Sequence, residues 1–191
     1  MDVSQEDARQ ALADVENTVE RTRLALGDDG TSTLLIVWGA ICMVGFLINH
    51  LQLALQSWSW EVLDLLGFTV TFVVIKRSRV KTREIGRLAL FWGLLFVYGF
   101  LWLMVIAAAS PRSVTVTSEQ IGAYICLIVM FAYVVMGLWL RSALLFWLGT
   151  ALSAVTVAAL FLLNAQFYLV MAVVGGGALI GSGIYVRRRR R

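Results

Sequence analysis

The sequence predicts an all-α integral membrane fold: six transmembrane helices arranged as three helical hairpins, preceded by a cytoplasmic amphipathic helix. Three observations carry that expectation. Of 191 residues, 60% are hydrophobic and only 15% are charged, with a mean hydropathy of +0.82. A soluble domain is roughly 45–50% apolar and about 25% charged, and a small one leaves much of its surface in water, so this excess needs lipid as its solvent. The charges are gathered into short islands between long apolar tracts, as in bilayer-spanning helices. The islands also alternate in basic content, which orients the tracts.

A helix crosses roughly 30 Å of hydrocarbon in about 20 residues at 1.5 Å per residue. The spans predicted on that measure are 34–55, 60–75, 88–109, 121–140, 143–163 and 167–186. Glu61 and Asp64 make the second span the least apolar. Lys76, Arg77, Arg79, Lys81, Arg83 and Arg87 crowd the second connection, Arg141 marks the fourth, and Arg187 to Arg191 close the chain. The first and third connections hold only Arg112 between them, and the fifth, around Asn164, holds no base. The positive-inside rule then puts both termini in the cytoplasm of a multi-pass protein of the cell membrane, bacterial in type. The N-terminus is acidic and amphipathic, so no cleavable signal peptide is expected and the first span directs insertion.

Residues 1–30 are expected to form the cytoplasmic helix and its linker, and 31–191 the six-helix domain. Ser4 suits an N-cap, with Asp7 three residues on, and Gly27 a stop. Between them Ala8, Leu12, Val15, Val19, Thr22 and Leu26 form a narrow stripe suited to a helical partner. Residues 1–29 contain eight Asp/Glu against three Arg, a net charge of −5. Anionic lipid repels such a helix. Segment 76–87, at +5, is its expected dock.

The membrane part contains an internal echo. Leu34, Trp38, Gly39, Gly45, Phe46 and Leu47 coincide with Leu88, Trp92, Gly93, Gly99, Phe100 and Leu101 at one offset of 54 residues. Leu144, Trp147 and Gly149 repeat it more faintly. The even spans each end at a base, at Lys76, Arg141 and Arg187. Three hairpins in one orientation follow from that layout. Their turns carry local signals: Ser59 before the second span, Thr117 with Gln120 as a capping box before the fourth, and Asn164 before the sixth. Trp58, Trp60, Phe167 and Tyr168 share one level, as an aromatic belt does. Only the sixth span, through Gly175 to Gly177, has the interruption seen in broken transporter helices.

This layout of three Gly-rich hairpins with cytoplasmic ends resembles HdeD-like and related small bacterial six-span membrane proteins. The resemblance covers the membrane part, not residues 1–30. It implies a stress-response setting and transfers no functional residue.

Catalytic chemistry finds no foothold. His50 is the single histidine, and no HExxH, CxxC, phosphate loop or nucleophile–base pair is present. No catalytic residue, metal site or cofactor is expected, and the chain reads as non-enzymatic. Cys42 and Cys126 fall mid-span and read as small buried hydrophobes. One polar group stands out: Asn49, His50, Glu61 and Asp64, which share a level near one membrane face when residues are counted from the inner ends. As a site, they would sense pH or bind a small polar ligand. The competing account is that Ser59 caps a helix whose dipole Glu61 complements, with everything at the headgroups.

Gly177 with Gly181 forms a GxxxG, and Gly39 and Gly93 precede it in the odd spans. These are the expected close-packing positions, within the bundle or between subunits. The terminal arginines anchor the last span to anionic lipid rather than to nucleic acid. The expected partners are membrane lipids and a second copy or another membrane protein. Two functions fit: an assembly, regulatory or stress-response component, or a small-solute channel, transporter or substrate-capture subunit using the polar group. A polar cavity reaching the midplane favours the second, and a tightly packed bundle the first.

Overall fold

The structure is a computed structural model, and it describes residues 10, 30–53, 58–77, 83–109 and 116–189. The expected helix over residues 5–26 and the basic stretch 78–82 lie outside the described residues. Six helices follow in order: α1 (Gly30–His50), α2 (Ser59–Arg77), α3 (Arg83–Ala109), α4 (Ser118–Trp139), α5 (Ala143–Leu162) and α6 (Asn164–Arg188). The described residues contain no strand.

Four of these, α1, α4, α5 and α6, are long and apolar enough to cross a membrane. α2 falls short because charge enters it: it holds Glu61, Asp64, Lys76 and Arg77 within 19 residues. α3 carries Arg83, Glu84 and Arg87 at its start, and its sequence from Leu88 to Ala109 is uncharged.

The helix ends explain the departures from the expected limits. α1 stops at His50 because Gln52 turns left-handed (φ 49°), with Leu53 N–H donating to Ile48 C=O (3.3 Å) and Gln52 N–H to Asn49 C=O (3.2 Å). This is a Schellman closure without its usual glycine. Arg141 (φ 51°) ends α4 in the same way, with Ser142 N–H on Gly137 C=O (2.8 Å) and Arg141 N–H on Leu138 C=O (3.3 Å). Ser142 then caps α5 through Leu145 N–H (3.5 Å). Thr117 and Gln120 form the capping box in both directions (3.3 and 3.0 Å). Asn164 makes no side-chain cap, and instead opens a 3-10 turn, Asn164–Gln166. α6 continues as an α-turn, Phe167–Val170, a π segment, Met171–Gly176, and an α-helix, Gly177–Arg188. The glycine run therefore widens the helix without breaking it.

Every buried apolar side chain among the described residues belongs to α1, α4, α5 or α6. Two clusters form this core. Phe46, Ala123, Ala159, Phe167, Met171 and Ala172 make one, and Leu35, Met130, Leu145, Leu152 and Leu179 the other. Glycines let the backbones close. A Cβ on Gly39 would lie 2.9 Å from Gly176 C=O, and one on Gly183 would lie 2.8 Å from Ser32 C=O, so α1 and α6 touch main chain to main chain. Gly149 meets Met130 C=O (2.7 Å from its would-be Cβ), and Gly137 meets the Phe146 backbone, which ties α4 to α5.

α2 and α3 lie outside this core. α2 rests on α1, and α3 touches α4 through Tyr124 Oη–H to Gly99 C=O (3.0 Å) and α2 through Phe68 on Phe96. Positions one repeat apart consequently differ in environment. Phe46 is buried while Phe100 is 61% exposed, and Gly39 is enclosed while a Cβ on Gly93 would meet nothing within 4 Å.

Candidate functional site

The inward seam of α2 is set by helical spacing. Trp60, Asp64, Gly67 and Thr71 recur at intervals of four, three and four, so they share one face. Trp38, Cys42 and Gly45 form the matching face of α1. The two faces are pinned at both ends. The Trp60 ring covers Gly45, whose would-be Cβ lies 2.7 Å from it. The Trp38 ring covers Gly67, and its Nε1–H donates to Thr71 Oγ1 (3.1 Å), which donates in turn to Gly67 C=O (2.8 Å).

Asp64 sits between those two contacts, half-buried. Cys42 packs with Cys126 of α4 against one core cluster and with Tyr133 of α4 against the other. Trp92 closes against Tyr133 edge to face, with ring centroids 6.2 Å apart. Both thiols are free.

Of the four sequence candidates, only Asp64 lies on this seam. Glu61 is exposed and reaches Asp64 only along their common helix. His50 ends α1 eight residues beyond Cys42, about 12 Å along the axis. The described residues contain no group of three His, Cys, Asp or Glu able to hold a metal ion. Asn49 joins a different neighbourhood. Its Oδ1 and the Tyr168 Oη are both buried without a hydrogen-bond partner, the Ser118 hydroxyl standing near Tyr168 but outside bonding geometry. Phe46, one turn before Asn49, stacks on Tyr168 (6.3 Å) and meets Trp60 (5.2 Å) and Phe167 (6.3 Å) edge to face.

Of the expected packing glycines, Gly39 is in contact, whereas Cβ atoms on Gly93, Gly177 and Gly181 would meet nothing within 4 Å. The contact is carried by Gly176 and Gly183, one and two positions away from the GxxxG pair. Cys42, Cys126 and Tyr133 were not singled out by sequence as functional. Their available signals were the i, i+4, i+7 set Cys42–Phe46–Asn49 and the i, i+7 pair Cys126–Tyr133.

Chemically, the seam sets one carboxyl beside aromatic and apolar side chains; among the described residues it offers no imidazole beside a nucleophile and no oxygen-rich cage. Comparison with protein-family models, curated proteins and solved structures finds no match, so the reading rests on this geometry.

Proposed function

We propose that the chain is a non-enzymatic, multi-pass membrane protein that works as an assembly, regulatory or stress-response component, self-associating through the outer face of α3. Tyr98 carries this reading. It lies midway along Leu90–Ile106 and is 63% exposed. Eight residues separate it from either end, about 12 Å of depth in each direction if α3 crosses the bilayer. The exposed threonines Thr69 and Thr150 bond within their own helices: Thr69 donates to Leu65 C=O (2.7 Å) and Thr150 to Phe146 C=O (2.9 Å). A phenol is too long to do the same, and a polar group left unpaired in hydrocarbon costs roughly 1–3 kcal/mol. Beside Tyr98 an apolar groove of about 200 Å³ runs along Leu101, Trp102 and Val105. A second copy packed about a two-fold axis would place Tyr98 opposite Tyr98 and fill both grooves.

The test is cross-linking in native membranes. Leu101→Cys is expected to form a disulfide-linked dimer, while Val62→Cys, exposed on α2, is not. Tyr98→Phe is expected to weaken association about threefold to tenfold, the range for hydrogen bonds between membrane helices. Equal cross-linking at Leu101 and Val62 would remove the interface.

The proposed topology has six spans in the cell membrane with both ends cytoplasmic, supported by the base distribution and by the layout resemblance to HdeD-like proteins. In a background without Cys42 and Cys126, Ser78→Cys should react with an impermeant maleimide only from the cytoplasmic side, and Asn164→Cys only from the other. Labelling of Ser78→Cys from outside would defeat it.

A second reading, a small-solute channel, transporter or substrate-capture subunit, is favoured by Asn49 Oδ1 and Tyr168 Oη. Two buried polar atoms without protein partners are what a bound polar solute or water would satisfy.

A further inference from the structure

We propose that the ends of α2 and α6 form a docking surface for one anionic phospholipid, its headgroup phosphate held by Lys76 and Arg77 from one helix and Arg187 and Arg188 from the other. Two close contacts bring these bases together at the start of α1. A Cβ on Gly30 would lie 3.3 Å from Val74 Cγ1, which sets the last turn of α2 against the first residue of α1. A Cβ on Gly183 would lie 2.8 Å from Ser32 C=O, which sets the end of α6 against the same turn. Both helices run antiparallel to α1, as Trp60 on Gly45 and Gly176 on Gly39 fix further along. Arg77 stands three residues past Val74, and Arg187 four past Gly183, about 4.5 and 6 Å along their axes. Ser32 lies about 3 Å inside Gly30, so both basic ends begin roughly 3–5 Å beyond the start of α1, at one level.

All four bases are exposed, and no Asp or Glu stands in the first two turns of α1 or the last two turns of α2 and α6. Arg189 adds a further positive charge, with its guanidinium 6.0 Å from the centroid of the Tyr185 ring. Like charges gathered at one level repel, and an anion between them removes that repulsion. The chemistry of the occupant follows from what lies next to the bases. Phe72 and Ile75 on α2, and Ile184 and Tyr185 on α6, are exposed within the preceding turn or so of each helix. Basic head above apolar stem matches a phospholipid, with its phosphate among the bases and an acyl chain along the helices. Guanidinium groups suit phosphate oxygens, which they can bond in pairs. The arginines of α6 alone would attract anionic lipid diffusely. The second basic end, on α2, is what lets one headgroup bridge two helices. This proposal does not depend on self-association through α3.

The test uses the purified full chain in detergent micelles, titrated with phosphatidylglycerol or with phosphatidylcholine of the same acyl chains, the bound lipid being counted by native mass spectrometry. Phosphatidylglycerol is expected to bind at least tenfold more tightly. Lys76→Gln with Arg77→Gln, and separately Arg187→Gln with Arg188→Gln, should each weaken it at least fivefold. Combining all four changes should weaken it little further, because a headgroup that needs both helices is already lost. Arg141→Gln, a base at the turn between α4 and α5, should change it less than twofold. The comparison of the two lipids on the wild-type chain stands even if a variant fails to fold. Equal binding of the two lipids would overturn the proposal, as would an equal loss in Arg141→Gln or losses from the two pairs that simply multiply. Unchanged binding in the Lys76 and Arg77 variant would overturn it too, by leaving the acidic stretch 1–29 as the occupant of those bases.

Discussion

Leucine at Gly39 or Gly176 is expected to destabilise the bundle by about 3 kcal/mol or more, while leucine at Gly177 or Gly181 should leave it unchanged or slightly more stable. The difference is one of neighbours. A Cβ on Gly39 would sit 2.8 Å from the Ile180 side chain and 2.9 Å from both Gly176 O and Ile180 N. One on Gly176 would sit 2.9 Å from Gly39 O and 3.0 Å from Met43 N. Main-chain atoms cannot rotate aside, so α1 and α6 must separate along their length, and overpacking of well-filled interfaces costs typically 1–3 kcal/mol, occasionally more. In lipid the loss is not softened by a hydrophobic drive, since helix association there depends on close packing. Gly177 and Gly181 face open space. There the side chain adds no collision, and replacing glycine in a helix is worth up to about 1 kcal/mol in propensity. Unfolding of the purified protein in mixed micelles, followed by tryptophan fluorescence, measures both. Equal damage at Gly176 and Gly177 would mean that the α1–α6 contact is wrongly placed.

Phe46→Ala is expected to cost about 3 kcal/mol, and Phe100→Ala, one repeat later, less than about 0.5 kcal/mol. Phe46 is 5% exposed and in ring contact with Trp60, Phe167 and Tyr168. Its removal leaves a cavity bounded by helices already fixed through glycine contacts, so collapse is limited. The low end of the usual 3–5 kcal/mol range applies, because in a membrane the unfolded reference for an apolar ring is lipid rather than water. Phe100 is 61% exposed and loses few contacts. The same micelle titration distinguishes them. A second readout is specific to Phe46: Cys42 packs against the cluster that holds this ring, so removing the ring should raise the reactivity of Cys42 toward a small thiol reagent. Equal costs at positions 46 and 100 would support equivalent repeats instead of a core drawn from four helices.

What the sequence disclosed was local. The Thr117–Gln120 capping box was readable because both partners lie within one turn. The charges that enter α2 are visible as letters. The left-handed Gln52 and Arg141 were not readable, because a Schellman closure is announced by glycine and neither position has one. Asp64 was recognised as unusual, yet it was grouped with His50. Counting along each helix gives depth but not the register of two helices against each other. Trp60 over Gly45 and Trp38 over Gly67 set that register, and Asp64 falls between them, apart from His50. The GxxxG pair lies off the α1–α6 contact for a related reason. Small residues occupy several faces of α6, and spacing alone does not say which face meets α1.

By itself, then, the sequence determined an all-helical chain, its long apolar helices and the charged islands between them, since these follow from chain geometry and from matching side chains to lipid. Only the tertiary structure decided that α1, α4, α5 and α6 form the core with α2 and α3 outside it, and that Trp60 on Gly45 and Trp38 on Gly67 join α2 to α1. The physical reason lies in the solvent. In water, a helix marks its inner face by hydrophobic contrast, whereas in hydrocarbon both faces are apolar. Burial is then chosen by fit between surfaces, and fit is a property of pairs of helices that no single segment of sequence displays.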